Sequence, residues 1–304
     1  MFLLVCADFT YSKVHYITPS PNVSCPQEES CLTLSQFAAN SSSYHETNIS
    51  LLFLPGSHSL DRELSLTYVD IFSMTKDAQE NETVFIECTS QSGRFDINET
   101  TFASIRGLHF IGCGGNTVTQ VDQFVLEDTI FQGVEGRGTA LVLNVVSDAS
   151  IVRSAFLSNT NGSRFEHYID FTTLEGILFY ELKSLFSSSA DLTYGGALYT
   201  AFSNVMIDDT KFNGNRAQVG AAIAVLDGNI SISNSQFVKN NDSSQSLSFG
   251  VILLFESEAS VDNSKFMHNT AMYGGVFAAL NSSCLLYTSP SPRDATLSRM
   301  PSSA

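Results

Sequence analysis

Tryptophan is absent from this 304-residue sequence, proline is scarce at 7 residues, and basic side chains are few. There are 15 Lys and Arg against 31 Asp and Glu, which gives a formal net charge of −16. So little positive charge excludes nucleic acid as a partner, because phosphate binding needs clustered Lys and Arg. The same deficit argues against docking on anionic lipid.

Long apolar runs are also missing. No stretch approaches the roughly 18 residues that a membrane-spanning helix needs, so no membrane span is expected within this fragment. The longest candidates, residues 251–255 and 276–280, have the length of single strands. Since 43% of the residues are nevertheless apolar, the chain can bury a core and is not expected to be disordered.

The amino terminus reads MFLLVCADFTYS, a short apolar stretch that ends in a small-residue pattern. This is typical of a secretory signal, although no positive residue precedes the apolar part. We interpret residues 1–13 as the remnant of a signal peptide whose start lies upstream. An ordinary first strand is the alternative.

Acceptor motifs for N-glycosylation are more frequent than the Asn content would produce by chance. Nine Asn-x-Ser/Thr motifs occur, at Asn22, Asn40, Asn48, Asn81, Asn98, Asn161, Asn229, Asn241 and Asn281. Such acceptors are used only on the surface of a secreted chain. They therefore favour an extracellular protein, secreted or at the cell surface, while some of the nine motifs are expected to be turn sequences without a glycan.

Six cysteines become four when Cys6 in the signal remnant and Cys284 in the carboxy-terminal tail are set aside. The four that remain are Cys25, Cys31, Cys88 and Cys113. An even number in an oxidising compartment predicts disulfides. No metal site is expected, because no CxxC motif or histidine cluster accompanies them.

A repeat with a period near 25 organises the chain. The segments VLEDTIFQGV, SIVRSAFLSN, MIDDTKFNGN, SISNSQFVKN and SVDNSKFMHN share one frame. Their phenylalanines are Phe131, Phe156, Phe212, Phe237 and Phe266, so the intervals are 25, 56, 25 and 29. The long second interval is interpreted as two units with a degenerate one between them. Fixed-period similarity of this kind predicts stacked structural units.

Within the frame, an aliphatic residue lies five positions before each Phe and a hydroxyl residue two positions before it. Asn follows the Phe by three positions in four units, at Asn159, Asn215, Asn240 and Asn269. Glycine-led apolar segments such as GGAL and GGVF lie between the units. Short β-branched and aromatic segments punctuated by Gly, Asn and Asp indicate strands and turns rather than helices.

A unit of this length fits one coil of a parallel β-helix, in which three short strands are joined by turns. Successive coils pair at about 4.8 Å, so each repeat position becomes a ladder of equivalent residues. We therefore predict an internal stack of the five phenylalanines and a turn ladder in which each Asn amide bonds to the next. The fold class is an all-β solenoid.

The frame extends backwards to VFIECT and LHFIGC, which place Phe85 and Phe110 one repeat length apart. Cys88 and Cys113 then occupy the position held by Asn in later coils. Stacked at about 4.8 Å, they lie within the distance that a disulfide tolerates, and a bridge between them is predicted. Two buried free thiols are the alternative. Cys25–Cys31 is predicted as a local bridge.

Segments of different character are expected along the chain. Residues 14–50 form an amino-terminal cap with a strand at 14–17 and a short helix around 32–39, and the coils occupy residues 51–283. Residues 164–192 depart from the repeat and are expected to form a bulged coil or an insertion. No second cap follows, so the solenoid is expected to be truncated at its carboxy-terminal end.

The FxxN segments (FLSN, FNGN, FVKN, FMHN) and the GGAL-type strands resemble the polymorphic outer-membrane protein repeat. The wider class is the right-handed parallel β-helix of the pectin-lyase-like superfamily. Similar repeats occur in uncharacterised secreted animal proteins, sponge ones especially. The resemblance implies a right-handed solenoid and relatives that act as surface adhesins.

The final segment, CLLYTSPSPRDATLSRMPSSA, has a different composition from the rest of the chain. Residues 284–294 and 298–304 resemble the translation of two parts of a sequencing-library adapter, with a gap of suitable length between them. We interpret residues 284–304 as a non-native, disordered tail. A natural Pro- and Ser-rich linker is the alternative.

No catalytic residue, metal ligand or cofactor is predicted. Asp208-Asp209 is the only Asp-Asp doublet of the repeats, but Asp209 shares its position with Asp128, Arg153, Asn234 and Asn263, and this indicates a solvated turn. The six histidines show no pairing with a nucleophile. The favoured function is a non-enzymatic extracellular scaffold or adhesion module that binds a protein or glycan. A carbohydrate-active β-helix enzyme is the alternative.

Overall fold

The computed structural model describes residues 13–21, 31–41, 48–76, 83–90, 92–135, 138–160, 163–164, 193–241 and 249–287. Some predictions concern residues outside these ranges. They are the signal remnant up to residue 12, the bridge to Cys25, the sequons at Asn22, Asn81 and Asn161, most of the irregular segment 164–192, and the tail from residue 288. These remain predictions.

The chain winds as a parallel β-solenoid with three faces, and its strands are numbered β1 to β26 in chain order. The first face contains β5 (Glu63–Thr67), β16 (Leu198–Ala201), β19 (Ile223–Leu226), β22 (Ile252–Phe255) and β25 (Phe277–Leu280). The second face contains β1 (Lys13–Thr18), β2 (Leu32–Thr33), β3 (Asn48–Phe53), β6 (Ile71–Lys76), β17 (Asn204–Asp208), β20 (Asn229–Ser233), β23 (Glu258–Asp262) and β26 (Ser283–Tyr287). The prediction of stacked parallel coils is confirmed.

Three long strands bend around the corner between the first and second faces and belong to both. They are β8 (Arg94–Arg106), β10 (Asn116–Glu127) and β12 (Leu141–Val152). The third face is a separate eight-stranded sheet. It contains β4 (Gly56–Leu60), β7 (Val84–Cys88), β9 (Leu108–Ile111), β11 (Ile130–Gln132), β13 (Ala155–Leu157), β18 (Lys211–Asn213), β21 (Gln236–Val238) and β24 (Lys265–Met267).

Left-handed residues turn the chain at the corners, coil after coil. The corner between the first and second faces has φ between 48° and 61° at Tyr68, Glu99, Gln120, Val145, Phe202, Asp227, Glu256 and Asn281. The corner between the second and third faces has positive φ at Asp128, Arg153, Asp209, Asn234 and Asn263. A single left-handed residue reverses the pleat and redirects the strand, which is why the same position bends in every coil.

The phenylalanine column forms the centre of the core. The rings of Phe131 and Phe156 lie 5.4 Å apart, and those of Phe212 and Phe237 lie 4.7 Å apart. Phe110 extends the stack at one end and Phe266 at the other. The rings are nearly parallel because the register of the third face pairs each Phe with the next.

The long interval between Phe156 and Phe212 was predicted to hold two coils, and this is wrong. β13 pairs directly with β18, and the two rings are stacked at 5.0 Å. The coils that contain Phe156 and Phe212 are therefore adjacent. Between them in sequence, β14 (Ser163–Arg164) and β15 (Thr193–Tyr194) form a short antiparallel pair. Sequence spacing alone cannot distinguish a lost repeat from an insertion.

The asparagine ladder follows the phenylalanine column. Asn215 Nδ2 donates to Asn240 Oδ1 at 2.9 Å and to the Phe156 carbonyl at 3.0 Å. The Asn215 Oδ1 atom accepts from both the backbone N–H and Nδ2 of Asn159. Since the asparagines 159, 215 and 240 are fully buried, these bonds satisfy polar groups that have no access to solvent.

A hydroxyl ladder runs parallel to it, two positions before each Phe. Ser154 Oγ accepts from the Thr129 N–H, and Ser235 Oγ accepts from the Thr210 N–H. Each hydroxyl donates in turn to a carbonyl two residues earlier in its own coil, as Ser235 does at 2.7 Å. The repeated Thr and Ser of the sequence therefore have a structural role in the turn.

The bridge Cys88–Cys113 is confirmed, with the Cα atoms 5.0 Å apart. The register that led to it is wrong by one residue, because Ile86 pairs with Phe110 and Phe85 pairs with His109. Phe85 is half-buried and its ring lies 5.1 Å from the His109 ring, away from the phenylalanine stack. Strand alternation gives the reason, since Val84, Ile86 and Cys88 are the buried residues of β7.

The amino-terminal cap contains the helix α1 (Leu34–Ala39), close to the predicted 32–39. Thr33 and Gln36 form a reciprocal capping box at its start. Leu34, Phe37 and Ala38 are buried against the first coil. In the described parts of the chain, no helix combines the length and apolar character needed to cross a membrane.

At the carboxy-terminal end, the disordered tail was predicted to start at residue 284, but the structure has a strand there. Residues 284–287 continue β26, which pairs in parallel with β23. The exposed backbone of β23 offers hydrogen-bonding groups to any extended segment that follows Ser283. Leu285 and Leu286 are more than half exposed, so this strand buries little apolar surface. The adapter origin of residues 284–304 stays a prediction.

The outer side of the first face is covered as well as its inner side. All four residues of β16, of β19 and of β22 are buried. The outward residues join a second apolar cluster that includes Tyr194, Tyr199, Phe249 and Leu253. Burial raises the pKa of Tyr194 to about 12. With the first face covered in these coils, the outward side chains of the second and third faces remain accessible.

Candidate functional site

A shallow groove of about 360 Å³ lies on the outer surface of the second face. It is lined by Asp148, Ala149, Asn204, Val205, Met206, Asn229, Ile230, Ser231, Glu258, Ala259, Ser260, Ser283 and Leu285. Alternation along the strands explains this lining: Val205 and Ile207 point into the core, so Asn204 and Met206 point outward. The groove runs across the coils, along the solenoid axis.

The outward side chains of the groove form two columns. The first contains Asn204, Asn229, Glu258 and Ser283, which the ladder registers place level with one another. Asp148 extends this column by one coil, because it directly precedes Ala149, which pairs with Val205. Met206, Ser231, Ser260 and Leu285 form the second column, two residues further along each strand.

Hydrogen bonds between coils hold these side chains in place. Asn229 Nδ2 donates to Asn204 Oδ1 at 2.8 Å, and Asn204 Nδ2 donates to the Ser147 carbonyl at 2.9 Å. In the second column Ser260 Oγ donates to Ser231 Oγ at 3.1 Å. The groove therefore presents a preorganised row of amide, hydroxyl and carboxylate groups at the coil spacing.

The charge of the groove has one sign. Asp148 and Glu258 are carboxylates, and none of its described lining residues is Lys, Arg or His. The two carboxylates are separated by three ladder steps, or about 14 Å between Cα atoms. Paired carboxylates of glycoside hydrolases lie about 5 to 9.5 Å apart. The two groups are therefore too distant to act together on one glycosidic bond.

The acidic doublet Asp208-Asp209 lies at the end of the second face. Asp209 is a left-handed turn residue with φ 44°, as its repeat position indicates. Asp208 accepts hydrogen bonds of 2.7 Å from Ser233 Oγ and from Asn234 Nδ2, which lower the pKa of its carboxyl group. These bonds join neighbouring coils and leave Asp208 as a turn-stabilising carboxylate.

A cluster of ion pairs joins the same corner in earlier coils. Arg153 contacts both Glu127 and Asp128, and Arg106 contacts Glu127 at 3.2 Å. Both arginines are about half exposed, so each pair contributes little on its own. The pairing neutralises charges that would otherwise stack directly above one another.

The predicted sequons lie in different environments. Asn40, Asn229 and Asn281 are exposed, whereas Asn98 and Asn241 are half-buried. Asn48 is only 8% exposed, although alternation with the core residue Ile49 places its side chain on the outer side of β3. A glycan needs an accessible amide nitrogen, and the acceptor at Asn48 stays a prediction. Asn229 differs from the others in lying inside the groove.

Histidines and cysteines form no reactive group in the described ranges. His15 and His58 are buried, and the His109 ring contacts Gln132. Cys284 is a half-buried free thiol whose pKa is raised by burial. Across these ranges no group of three His, Cys, Asp or Glu side chains has a spacing that would hold a metal ion.

The comparisons with known proteins give similarities of structure. No protein-family model matches the sequence, and none of the curated proteins matches it significantly. Among solved structures, pectate lyase Pel9A matches with a TM-score of 0.43 and 11% identity, covering 92% of this chain and 79% of its own. The alginate lyase AlyGC of family PL6 gives 0.35 and 11%, with 90% and 39% coverage. A rhamnogalacturonan lyase gives 0.31 and 10%, with 82% and 74% coverage.

The groove residues were missed by the sequence analysis, although a signal for them exists. Asp148, Asn204, Asn229 and Glu258 each lie three positions before the aliphatic residue of the repeat frame. The four residues share only a polar character, whereas the Phe and Asn ladders repeat one residue type. The sequence repeat therefore reveals the Phe and Asn ladders clearly and the groove column only weakly.

Proposed function

We propose that this protein is a non-enzymatic extracellular or cell-surface β-helix scaffold that acts as an adhesion module and binds a glycan in the groove of the second face. The observation that carries the proposal is the row of Asp148, Asn204, Asn229 and Glu258. Amide and carboxylate groups at regular spacing match the hydroxyl groups of successive sugar units, which both donate and accept hydrogen bonds.

The proposed extracellular location of the protein rests on the disulfide and on the sequons. A bridge between coils is typical of proteins made in an oxidising compartment. The exposed acceptor at Asn40 lies at the end of the cap helix, away from the groove lining, where a glycan would not obstruct the groove. The solenoid then presents a partly glycosylated surface and the groove of the second face to its partner.

The alternative function is that of a carbohydrate-active β-helix enzyme. The carboxylates of the groove would supply its acid and base. Their separation of about 14 Å speaks against hydrolysis by this pair. The lining also offers no basic side chain to take a proton from a uronate or to neutralise one.

Glycan binding and cleavage are measured on the same preparation of the full chain. A panel of immobilised neutral and acidic glycans is expected to give saturable binding to at least one of them. Soluble polygalacturonate, alginate and xylan are expected to show no new reducing ends and no unsaturated products. Cleavage that disappears in Asp208→Asn/Asp209→Asn or in Glu258→Gln would establish the enzyme instead.

A further inference from the structure

The corner beside the groove carries apolar side chains at a position that disfavours them. Left-handed backbone suits Asn, Asp and Gly, and polar residues occupy this corner at Glu99, Gln120, Asp227, Glu256 and Asn281. Tyr68 occupies it near the amino-terminal end, and Val145 and Phe202 occupy it in two adjacent coils beside the groove, with φ of 61°, 55° and 50°. A β-branched or aromatic residue in this conformation is strained.

Burial does not explain the two residues beside the groove. Phe202 is 60% exposed and Val145 is 46% exposed, so neither gains much from the core. Strain combined with an exposed apolar surface is disadvantageous for folding and solubility. Where such residues lie beside a groove lined by hydrogen-bonding groups, as Val145 and Phe202 do, they point to a surface that is covered by a ligand.

The two residues adjoin the groove. Phe202 lies two positions before Asn204, and Val145 lies three positions before Asp148 in the neighbouring coil. Met206, in the second column of the groove, is 49% exposed. An aromatic ring, a row of hydrogen-bonding groups and an exposed thioether thus lie across one edge of the second face.

The charge of the groove limits what can bind there. Asp148 and Glu258 would repel the carboxylates of a uronic acid polymer, and no cation in the described lining compensates them. A pyranose without charge meets no such penalty. Its hydroxyls can bond to the amides and carboxylates while its apolar C–H face covers an aromatic ring.

We propose that the ligand is a neutral polysaccharide chain that lies along the groove and stacks one sugar ring on Phe202. This inference rests on the proposed glycan-binding function and specifies its ligand class. The binding residues are those of the coils from Asp148 to Glu258. Leu285 is left out because it belongs to the segment interpreted as adapter-derived.

The sequon at Asn229 requires a defined preparation. A glycan on its Nδ2 atom would project into the groove and compete with the ligand. The full chain is therefore produced in a bacterial periplasm, where disulfides form and sequons remain unmodified. Binding of xylan, mannan and β-glucan oligosaccharides is compared with that of oligogalacturonate and alginate oligosaccharides by calorimetry at low and high salt.

The test variant is Phe202→Asn, since Asn accepts the left-handed backbone and removes the ring. Affinity for the neutral oligosaccharide is expected to fall about tenfold, which is the loss of one stacking contact. The melting temperature is expected to stay equal or rise, so misfolding cannot explain the loss. Tyr68→Asn is the matched control, because Tyr68 is 75% exposed at the same corner, four coils away. It is expected to bind as the wild type does.

Each outcome decides one of the two proposals. Preference for a neutral oligosaccharide, independent of salt and weakened in Phe202→Asn alone, supports the inference. Preference for the uronic acid oligosaccharides, or an unchanged affinity in Phe202→Asn, overturns the inference but leaves glycan binding intact. If no oligosaccharide binds, the proposed function fails together with it.

Discussion

The early coils and the late coils of this solenoid stabilise the same turn by different means. After the third face, the early coils use the covalent bridge between Cys88 and Cys113. The late coils use the buried amides of Asn159, Asn215 and Asn240 and the half-buried amide of Asn269. Stacked coils bring equivalent atoms to within about 5 Å, and either a disulfide or a hydrogen-bonded ladder can satisfy that geometry.

The disulfide and the asparagine ladder differ in what happens when one of their residues is removed. A disulfide joins two coils and restricts the unfolded chain, whereas each ladder Asn bonds to the coils on both sides. Removal of one Asn therefore exposes unsatisfied groups in neighbouring coils, while removal of the bridge leaves two small apolar-like side chains. The late coils should consequently be more sensitive to a single substitution.

Asn215→Ala is expected to have the largest effect. It removes the partner of the Asn159 backbone N–H and of the Phe156 carbonyl, and it leaves Asn159 Nδ2 with only its bond to the Phe131 carbonyl. At about 1 to 3 kcal/mol for each buried unsatisfied group, the free energy of unfolding should fall by about 5 kcal/mol. Chemical denaturation measures the loss. Asn269→Ala, at the half-buried last rung, is the control and should cost clearly less.

Phe212→Ala tests the stack in the middle of the late coils. Phe212 is fully buried between Phe156 and Phe237, and truncation of such a ring costs about 3 to 5 kcal/mol. Phe266 ends the stack and is half-buried, so Phe266→Ala should lose less than half as much. Equal losses in the two variants would contradict a column whose centre is better packed than its end.

Cys88→Ala/Cys113→Ala tests the early coils. The bridge spans a sequence separation of 25, and its removal is expected to lower the free energy of unfolding by about 3 kcal/mol. The same loss should appear on reduction of the wild type. If the double variant lost more than Asn215→Ala does, the comparison between the two kinds of rung would be reversed.

The repeat columns could be predicted because they reuse one residue type in every coil. Phe131 to Phe266 and Asn159 to Asn269 are visible as a frame in the sequence, and the frame fixes the architecture. Where a column changes residue type, the prediction is weaker. Ile86 replaces Phe in the early coils, and the nearby Phe85 gave a register shifted by one residue.

The insertion after Phe156 and the groove could not be read from spacing. The long interval from Phe156 to Phe212 is compatible with an extra coil or with an excursion, and only the pairing of β13 with β18 decides between them. The groove depends on which face stays uncovered. The outward residues of the first face are themselves apolar and pack with Tyr194 and Phe249 in a second cluster, so alternation within a single strand does not reveal which face stays uncovered.

The smallest expected effect concerns pH and the early coils. His58 is 1% exposed in β4, and burial lowers its pKa from 6.5, opposed in part by its hydrogen bond to the Leu54 carbonyl. A histidine with a lowered pKa in the folded state binds its proton mainly when the chain unfolds. Its contribution to stability is therefore complete above pH 6.5 and is lost as the pH falls, by no more than about 1.4 kcal/mol per pH unit.

Denaturation of the wild type and of His58→Gln at pH 7.5 and pH 5.5 measures this contribution. Gln can still donate to the Leu54 carbonyl but does not titrate, so the variant should lose less stability between the two pH values than the wild type loses. The difference should be confined to the amino-terminal coils, which hydrogen exchange of β3 and β4 against β20 and β21 can show. An equal fall in both proteins would mean that other groups set the acid sensitivity of the early coils.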